Sequence, residues 1–367
     1  MTLNLYPEEE QIAFEQLRQK LPLLPPKVPS FYKNKVEQEV EALGHLNGPL
    51  YKTVFPTKEK IKLQAPGEVA DFIDDRKHIP EGTNGTFLHK YANRILFMPT
   101  SICLGHCMYC FRQDLLEEQH ENREKQLEKD LSSLISYLNS QPQVEEIILS
   151  GGDPLMLSAK DLEMICEKLS QLKQIKHFRI HTRAPVFDPK SFSDKKMELL
   201  IKYNFRFVLH VIHPYELCQD LLQVLSIARS KGLRLYNQFP LLRGVNDHPK
   251  VLIKLLTHLD EAGIKNLSVF LPEPVHHSAT FRISYKRIQE IILELQNTMP
   301  SWISSTRFCQ DTSLGKVRLE QRIPSSNPHE ILFERNQQIT SVPDFPTELD
   351  IPGNLNNLLW KDFQSSV

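Results

Sequence analysis

Short apolar runs alternate with longer stretches of helical periodicity along most of the chain after residue 90. Six runs rich in Ile, Val, Leu and Phe have the length of buried strands, at residues 94–98, 144–150, 176–182, 205–212, 233–240 and 265–271. Six stretches with apolar residues three and four positions apart predict helices, at residues 124–140, 158–174, 194–203, 215–232, 249–263 and 284–299. Alternation at intervals of roughly 30 residues indicates strand–helix units around a parallel sheet. The pattern alone leaves a doubly wound sheet and a partial barrel open.

The two ends of the chain lack this rhythm. Residues 1–90 predict a helical extension, with helices near residues 7–20 and 31–43 separated by the proline-rich KLPLLPPKVPS. After the last predicted helix, the pattern indicates short strands and turns and then a tail of 20 residues. We therefore expect three parts, with the N-terminal extension followed by a core at residues 91–300 and a C-terminal segment at residues 301–367.

Composition narrows the class of protein only a little. The chain has 367 residues, 40% of them hydrophobic, and a formal net charge of -1. This charge argues against a surface that coats nucleic acid. The first residues, MTLNLYPEEEQIAFEQLRQK, lack the apolar centre of a signal peptide. No apolar run approaches the ~20 residues of a membrane span. We expect a cytoplasmic protein with no nucleic-acid or membrane partner.

Polar and glycine residues cluster directly after each predicted strand. The clusters are CLGHCMYC, SGGDP, IHTRAP, HVIHP, NQFPLLRG and PEPVHH, in chain order. In both candidate architectures, active sites form at the carboxyl ends of parallel strands. One edge of the sheet therefore carries nearly all the unusual residues, which favours an enzyme over a scaffold.

Three of the six cysteines lie close together after the first predicted strand, at Cys103, Cys107 and Cys110. A structural zinc site needs a fourth ligand, and none is near, since we expect the adjacent His106 to point elsewhere. Three thiolates instead fit a [4Fe–4S] cluster with one iron open to a small molecule. The spacing CxxxCxxC resembles that of radical S-adenosylmethionine (SAM) enzymes, in which SAM binds the open iron and yields a 5'-deoxyadenosyl radical. Zinc and purely structural thiols are the alternatives.

Six motifs carry a closer resemblance, in the order HKYANR, CMYCFRQ, ILSGGDPLML, FRIHTRAP, HVIHP and NQFPLLRGVND. Together they resemble the lysine 2,3-aminomutase family, which includes the enzyme that acts on a lysine for translation elongation factor P. The resemblance covers residues 65–320 and implies an α/β fold, a partial (β/α)6 TIM-like barrel of the radical SAM type. It also implies an isomerase that moves the amino group of an α-amino acid, foremost lysine, from C2 to C3.

The resemblance implies pyridoxal 5'-phosphate (PLP) beside the cluster and SAM, and an electron donor such as flavodoxin or ferredoxin. Free-lysine enzymes of the family link subunits through a C-terminal zinc site with cysteine ligands. No cysteine follows Cys309 here, so we expect no such zinc, and a homo-oligomer is left open.

The resemblance assigns cofactor-binding residues position by position. Ser150, Gly151, Gly152 and Asp153 match the stretch that binds the amine of SAM, where glycines let backbone amides approach a ligand. Lys316, in DTSLGKV, matches the lysine that binds PLP covalently. That role needs a neutral amine, so we expect its pKa to be lowered by burial or by cationic neighbours.

The remaining cofactor positions are basic or aromatic. Lys90 and Arg94 fall on the family's two phosphate-binding positions, with Tyr91 beside them. Arg94 could equally serve a structural salt bridge. Arg183, in HTRAP, falls where the family places an arginine near the cofactors.

Three residues match positions that bind the substrate. Arg112 matches the arginine that holds the substrate carboxylate, a task suited to a planar guanidinium. Glu273 falls where the family has an aspartate for the distal ammonium of lysine, and its extra methylene is compatible with a shorter substrate. Cys309 takes the second carboxylate position, which leaves Asp311 as the nearest acidic candidate. The adjacent pair at residues 276–277, both His, has no counterpart in the family.

Three functional hypotheses follow. The first is a PLP-dependent radical SAM aminomutase that converts lysine, free or destined for elongation factor P, to β-lysine. The second is a radical SAM enzyme of the same lineage that acts on another amino acid. The third is a metal-binding module without enzymatic activity, which would not cleave SAM after reduction.

Overall fold

The central sheet of the protein has nine strands whose spatial order follows the chain. This computed structural model describes residues 4–83, 85–120 and 126–363. The strands are β1 Phe87–Tyr91, β2 Arg94–Phe97, β3 Glu146–Leu149, β4 His177–Thr182, β5 Arg206–Leu209, β6 Arg234–Pro240, β7 Lys265–Phe270, β8 Arg307–Gln310 and β9 Val317–Arg318. Strands β2 to β8 pair in parallel, whereas β1 and β9 are antiparallel to their neighbours. A doubly wound sheet would reverse its strand order at a switch point. The sequential order therefore confirms the partial barrel.

All six predicted strands are present, and a seventh parallel strand, β8, follows them. Strands β3 and β5 are apolar on both faces, as in β5, where the adjacent Phe207 and Val208 point to opposite faces and are both buried. Double-sided burial is typical of parallel sheets covered by helices, and it made these runs easy to recognise. Strand β8 is only four residues long and begins with the exposed Arg307, so its sequence gave no clear strand signal.

The helices cover the outside of the barrel. They are α1 Glu8–Arg18, α2 Ser30–Leu43, α3 Pro49–Val54, α4 Lys58–Lys62, α5 Gln113–His120, α6 Leu127–Asn139, α7 Ala159–Ser170, α8 Ala184–Phe187, α9 Asp194–Lys202, α10 Gln219–Ser230, α11 Pro249–Glu261, α12 Tyr285–Thr298, α13 Ser301–Ser304, α14 Leu355–Leu358 and α15 Trp360–Phe363. In α6, Leu131, Leu134 and Leu138 lie on one buried face, as the spacing predicted. Residues 124–125 of that predicted helix lie outside the described ranges. No helix among the described residues is long and apolar enough to cross a membrane.

The N-terminal extension contains the two predicted helices, α1 and α2, and two short ones, α3 and α4. Beyond them, an extended segment reaches the carboxyl ends of the barrel strands, where Val69 forms an isolated parallel bridge with Val275. The division into three parts stays a prediction. The central sheet lies on both sides of each predicted boundary, because it includes β1 and β8.

The C-terminal segment adds a second, antiparallel sheet and then packs against the barrel. The sheet consists of β10 Arg322–Ile323, β11 Glu330–Arg335 and β12 Gln338–Pro343. Arg287 binds Asp350 with Nε and Oδ2 2.9 Å apart. Trp360 is buried and lies 5.4 Å from the ring of Tyr215. The described part of the last 20 residues, expected as a tail, is therefore anchored by these contacts.

Candidate active site

A cavity of about 710 Å³ lies inside the barrel. Its wall contains every residue that the sequence assigned to the cluster, the cofactors or the substrate: Cys103, Cys107, Cys110, Lys90, Tyr91, Arg94, Arg112, Ser150, Gly151, Gly152, Asp153, Arg183, Glu273, Asp311 and Lys316. These residues come from six separate parts of the chain. The structure thus brings all the predicted positions together, while their individual roles stay predictions.

The cysteine loop follows β2 at the carboxyl end of the parallel strands. Cys103, Cys107 and Cys110 are free thiols and line the cavity. His106 is turned away, since its Nδ1 lies 2.7 Å from the carbonyl oxygen of Pro25. Burial raises the pKa of Cys110 to about 12 and also raises the pKa of the other two thiols. Binding of a metal centre would therefore have to displace these thiol protons, because only a thiolate is a strong ligand.

The arrangement of the thiols distinguishes the metal alternatives. Within the described residues, no three Cys, His, Asp or Glu side chains are close enough to hold one metal ion. A zinc site would need its ligands converging on a single point, with Zn–S bonds of about 2.3 Å. In an iron–sulfur cluster, separate irons take separate thiolates, so the thiols need only surround a larger volume. Three thiols that line one cavity, without a single-ion site among the described residues, fit the cluster better than zinc.

The SGGD loop after β3 packs directly on the cysteine loop. The amides of Gly152 and Asp153 donate to the carbonyls of Thr100 and Ile102, at 2.9 and 2.8 Å. A Cβ atom at Gly151 would lie 2.8 Å from the Thr100 carbonyl oxygen, and one at Gly152 would lie 2.5 Å from that of Ile102. The glycines are thus required for contact between the two loops. These two amides bind protein carbonyls, so they are not directed at a ligand as the sequence suggested.

The Asp153 carboxylate also binds protein groups. It accepts hydrogen bonds from the Thr182 hydroxyl at 2.7 Å and from the amides of Leu155, Arg183 and Ala184 at 3.0, 2.8 and 2.8 Å. These bonds join the ends of β3 and β4. Asp153 therefore fixes the shape of the cavity wall, and its contact with a cofactor stays a prediction.

Behind the cysteines, Arg183 and Glu216 form a fully buried ion pair with Nη2 and Oε1 2.7 Å apart. Arg183 also donates to the hydroxyl of Tyr109, which lies between two of the cysteines in sequence. Tyr32 donates to the same Glu216 oxygen at 2.7 Å. A buried charge pair needs such additional hydrogen bonds to offset its desolvation. Arg183 thus holds Tyr109 in place beside the cavity.

Strand β1 closes the open edge of the barrel against the turn between β8 and β9. The Lys90 ammonium donates to the carbonyls of Ile73 and Thr312, both at 2.7 Å. The Tyr91 hydroxyl accepts a hydrogen bond from the backbone amide of Lys316 at 2.9 Å. Since an ammonium has three donors, Lys90 keeps one for a ligand. These bonds join β1 to the loop that carries Lys316.

Arg94 begins β2, and its guanidinium stacks 4.1 Å from the ring centroid of Tyr91. Within the described residues, its Nη1 donates a long hydrogen bond to Oδ1 of Asn93, at 3.4 Å. The guanidinium therefore faces the cavity, and no carboxylate of the described residues forms an ion pair with it. This geometry favours an anion-binding role over the structural salt bridge that the sequence left open.

The Lys316 amine lies 4.3 Å from the ring centroid of Phe270. The residue is exposed to water through the open cavity, although protein atoms surround its amine. Burial lowers the pKa of Lys316, Asp311 opposes this shift, and Arg179 adds to it. The direction agrees with the expected lowering, which increases the share of neutral, nucleophilic amine.

Arg112 is oriented by a carboxylate that sequence reasoning missed. Its Nε lies 2.7 Å from Oδ2 of Asp75, in a mostly buried ion pair, and its guanidinium stacks 4.6 Å from the ring centroid of Phe111. Asp75 lies in a polar loop, DDRKH, whose sequence gives no sign of contact with the cavity. The ion pair uses Nε and leaves the two terminal nitrogens for a carboxylate ligand.

Glu273 and Asp311 form the acidic part of the cavity. Burial and the nearby Asp311 raise the pKa of Glu273 to about 8, while Arg112 and Lys316 oppose the rise. The extra methylene of Glu273 still places its carboxylate on the cavity wall. Two carboxylates that share a low-dielectric site favour the binding of a cation.

His181, His210 and Arg179 are among the cavity residues that were not assigned from sequence. His181 and His210 lie in the motifs IHTRAP and HVIHP, and burial lowers the pKa of both rings. Arg179 lies in β4 and forms a two-bond ion pair with Glu146, at 3.1 and 2.8 Å. The histidines could have been found from their place at strand ends. Arg179 had no such signal, because its strand position alternates with apolar residues.

The barrel and the three-cysteine loop after its first parallel strand define a radical SAM enzyme. In agreement, the family model described as Radical SAM superfamily matches residues 97–256. The L-lysine 2,3-aminomutase of Haemophilus influenzae is 30% identical, over 82% of this chain and 85% of its own. That of Escherichia coli is 27% identical, over 82% and 84%, and that of Clostridium subterminale is 28% identical, over 79% and 68%. The chain belongs to the lysine 2,3-aminomutase family, and it is an isomerase.

Proposed function

We propose that the protein is a PLP-dependent radical SAM aminomutase that converts lysine to β-lysine. The observation that carries the proposal is the shared cavity: three free thiols, an amine with a lowered pKa, a guanidinium and two carboxylates face one volume. Each group matches one need of the reaction, and the relatives named L-lysine 2,3-aminomutase cover most of the chain.

Cys103, Cys107 and Cys110 would hold a [4Fe–4S] cluster that keeps one iron open for SAM. With a donor such as flavodoxin or ferredoxin, the cluster and SAM supply a carbon radical that can take hydrogen from unactivated carbon. The residues around the proposed cluster hold the cysteine loop in position. The bonds from the SGGD loop and from Asp153 fix the cysteine loop against β3 and β4.

Lys316 would hold PLP, which supplies a conjugated ring that stabilises an unpaired electron near the migrating nitrogen. Tyr91 fixes the backbone of Lys316, and the remaining donor of Lys90 and the guanidinium of Arg94 would bind the phosphate group. Because β1 carries Lys90 and Tyr91, it would join the phosphate site to the amine site.

The terminal nitrogens of Arg112 would bind the α-carboxylate of the substrate. Glu273 and Asp311 would bind the distal ammonium. A cation beside Glu273 lowers its pKa again, because the ionised carboxylate gains a partner. The two ends of the substrate would thus be fixed by opposite charges, which orients the carbon chain between them.

A second candidate substrate is a shorter diamino acid. Glu273 is one methylene longer than the family's aspartate, and the buried Cys309 takes the position of the second carboxylate. Both changes alter the distance over which an ammonium can be held. Lysine destined for elongation factor P presents the same groups as free lysine, so lysine in the panel represents both.

The test is anaerobic purification followed by a substrate panel. We expect iron–sulfur and PLP absorption in one protein, and turnover of lysine in preference to ornithine, glutamate and norleucine, read by mass spectrometry and NMR. Cleavage of SAM without any amino-acid product would overturn the aminomutase proposal while keeping the radical SAM class. Preference for ornithine would replace lysine with the shorter substrate.

A further inference from the structure

We propose that Glu68, in the N-terminal extension, is a positioning residue for Glu273 and so takes part in recognition of the distal amine of the substrate. The inference rests on the proposed function, because it assumes that Glu273 binds that amine. It also gives a role to the pair of histidines, His276 and His277, that has no counterpart in the family.

The Glu273 carboxylate is placed by a loop without regular secondary structure. This loop, residues 271–278, follows β7 and precedes a short 3-10 turn at Ala279–Phe281. Glu273 is buried on the cavity wall. Because no helix or strand fixes its backbone, the position of the carboxylate depends on what fastens the loop from outside.

The N-terminal extension fastens that loop through residues 60–69, here called the clamp segment. Backbone bonds run from the Val69 amide to the Pro274 carbonyl, at 2.9 Å, and from the His276 amide to the Val69 carbonyl, at 3.1 Å. They form a strand-like pairing immediately after Glu273. The clamp segment is more than 200 residues from this loop in sequence, so no local sequence pattern predicts their contact.

Glu68 provides the strongest fastening. Its Oε2 accepts the amide proton of His277 at 3.0 Å, and its Oε1 accepts that of Ala279 at 2.8 Å. Hydrogen bonds to an ionised acceptor are stronger than neutral ones. One carboxylate thus holds two amides of the loop. Burial raises the pKa of Glu68, and the two bound amides, together with Arg282 and Lys60, oppose that rise by favouring the ionised carboxylate.

Lys60 and His277 complete the attachment. The buried Lys60 ammonium donates to the His277 carbonyl at 3.0 Å, and Nδ1 of His277 lies 3.1 Å from the Lys60 carbonyl. His277 has a φ of 56°, a left-handed conformation that is unfavourable for a residue with a side chain. Such a conformation persists where surrounding bonds enforce it. The bonds of Glu68 and Lys60 do so here, and the tight turn they impose directs the preceding residues toward the cavity.

The test compares Glu68→Gln with the wild type. The substitution keeps the size of the side chain but replaces one acceptor oxygen with a donor that faces an amide. We expect the KM for lysine to rise about tenfold, as one lost charge-assisted hydrogen bond implies, while kcat changes less than twofold. The preference for lysine over norleucine, which lacks the distal amine, should fall by a similar factor. Glu37→Gln is the control, since Glu37 forms an ion pair with Lys33 on α2, at 3.7 Å, far from the clamp segment in sequence.

Hydrogen exchange supplies a readout that does not depend on turnover. In Glu68→Gln, amides at residues 273–279 should lose protection while the barrel strands keep theirs. An unchanged KM and an unchanged lysine preference in a folded variant would overturn the inference. So would a fall in kcat and thermal stability with the lysine preference intact, because that indicates a structural role only. If Glu68→Gln does not fold, Glu68→Asp, which keeps the charge at a shorter reach, is judged by the same criteria.

The two proposals fail in different ways. If the wild type converts no amino acid with a distal amine, the proposed function fails and this inference fails with it. If the wild type is active on lysine and Glu68→Gln matches it in KM and preference, only this inference is overturned.

Discussion

The Asp75 carboxylate binds one nitrogen of the Arg112 guanidinium, with Oδ2 of Asp75 2.7 Å from Nε of Arg112. The two residues come from separate parts of the chain, one from the N-terminal extension and one from the loop after the last clustered cysteine. The pair directs the two terminal nitrogens of Arg112 into the cavity. This contact and the Glu68 attachment imply that the N-terminal extension shapes both ends of the substrate site.

We expect Asp75→Asn to raise the KM for lysine about tenfold, because a neutral amide orients the guanidinium less firmly than a carboxylate. The measurement is steady-state kinetics under anaerobic conditions. Asp74→Asn is the matched control: Asp74 pairs with the exposed Lys77 at 2.8 Å, and asparagine tolerates its left-handed backbone. Equal KM values for both variants would show that Asp75 does not position Arg112.

Lys316→Ala should abolish covalent attachment of PLP. The wild type should show imine absorption and, after borohydride reduction, a mass increase equal to one reduced PLP; the variant should show neither. Lys202→Ala, at an exposed position on α9 paired with Glu163, should behave as the wild type. Retention of the imine in Lys316→Ala would mean that another lysine binds PLP.

The pH dependence of lysine binding should report Glu273. Burial and Asp311 raise its pKa to about 8, so below that pH most of the free enzyme carries a neutral carboxyl that cannot pair with an ammonium. Binding must then release a proton, and kcat/KM for lysine should rise with pH, by up to about tenfold per unit well below the pKa. The rise should level off above about pH 8. Glu273→Gln should be weaker and flat over this range, and an unchanged pH profile in that variant would assign the titration elsewhere.

Gly152→Ala should reduce iron incorporation. A Cβ atom there would lie 2.5 Å from the Ile102 carbonyl oxygen, so the cysteine loop must move. Gly44→Ala tests backbone strain alone, since Gly44 has a φ of 71° and open space around its Cβ position; strain of this kind costs on the order of 1 kcal/mol. Iron and sulfide content of the reconstituted proteins is the measurement. Full iron content in Gly152→Ala would mean that the loop contact is not needed to hold the cluster.

The barrel was predictable from the sequence, and every residue that the sequence assigned to a site lies on the one cavity. Strands β3 and β5 are apolar on both faces, which makes runs such as VEEIILS recognisable. The cysteine spacing and the ordered motifs then located residues that the fold brings together. Strand β8 was missed because four residues with an exposed first position carry little pattern.

The sequence was less informative about what fixes those residues. Glu68 and Asp75 lie in polar segments without periodicity, and their partners are distant in the chain. The glycines of SGGD were expected to expose amides to a ligand, whereas the Gly152 amide binds a carbonyl of the cysteine loop. Such contacts depend on how separate loops meet at the end of the barrel, and no local pattern encodes them.

The most direct test of the account is the fate of nitrogen in lysine labelled with ¹⁵N at the α-position. The reconstituted enzyme, with PLP, SAM and a one-electron reductant, should give β-lysine with the label on C3, seen by NMR as coupling between ¹⁵N and that carbon in ¹³C-labelled substrate. Label that stays on C2 while SAM is cleaved would contradict the proposed amino-group migration.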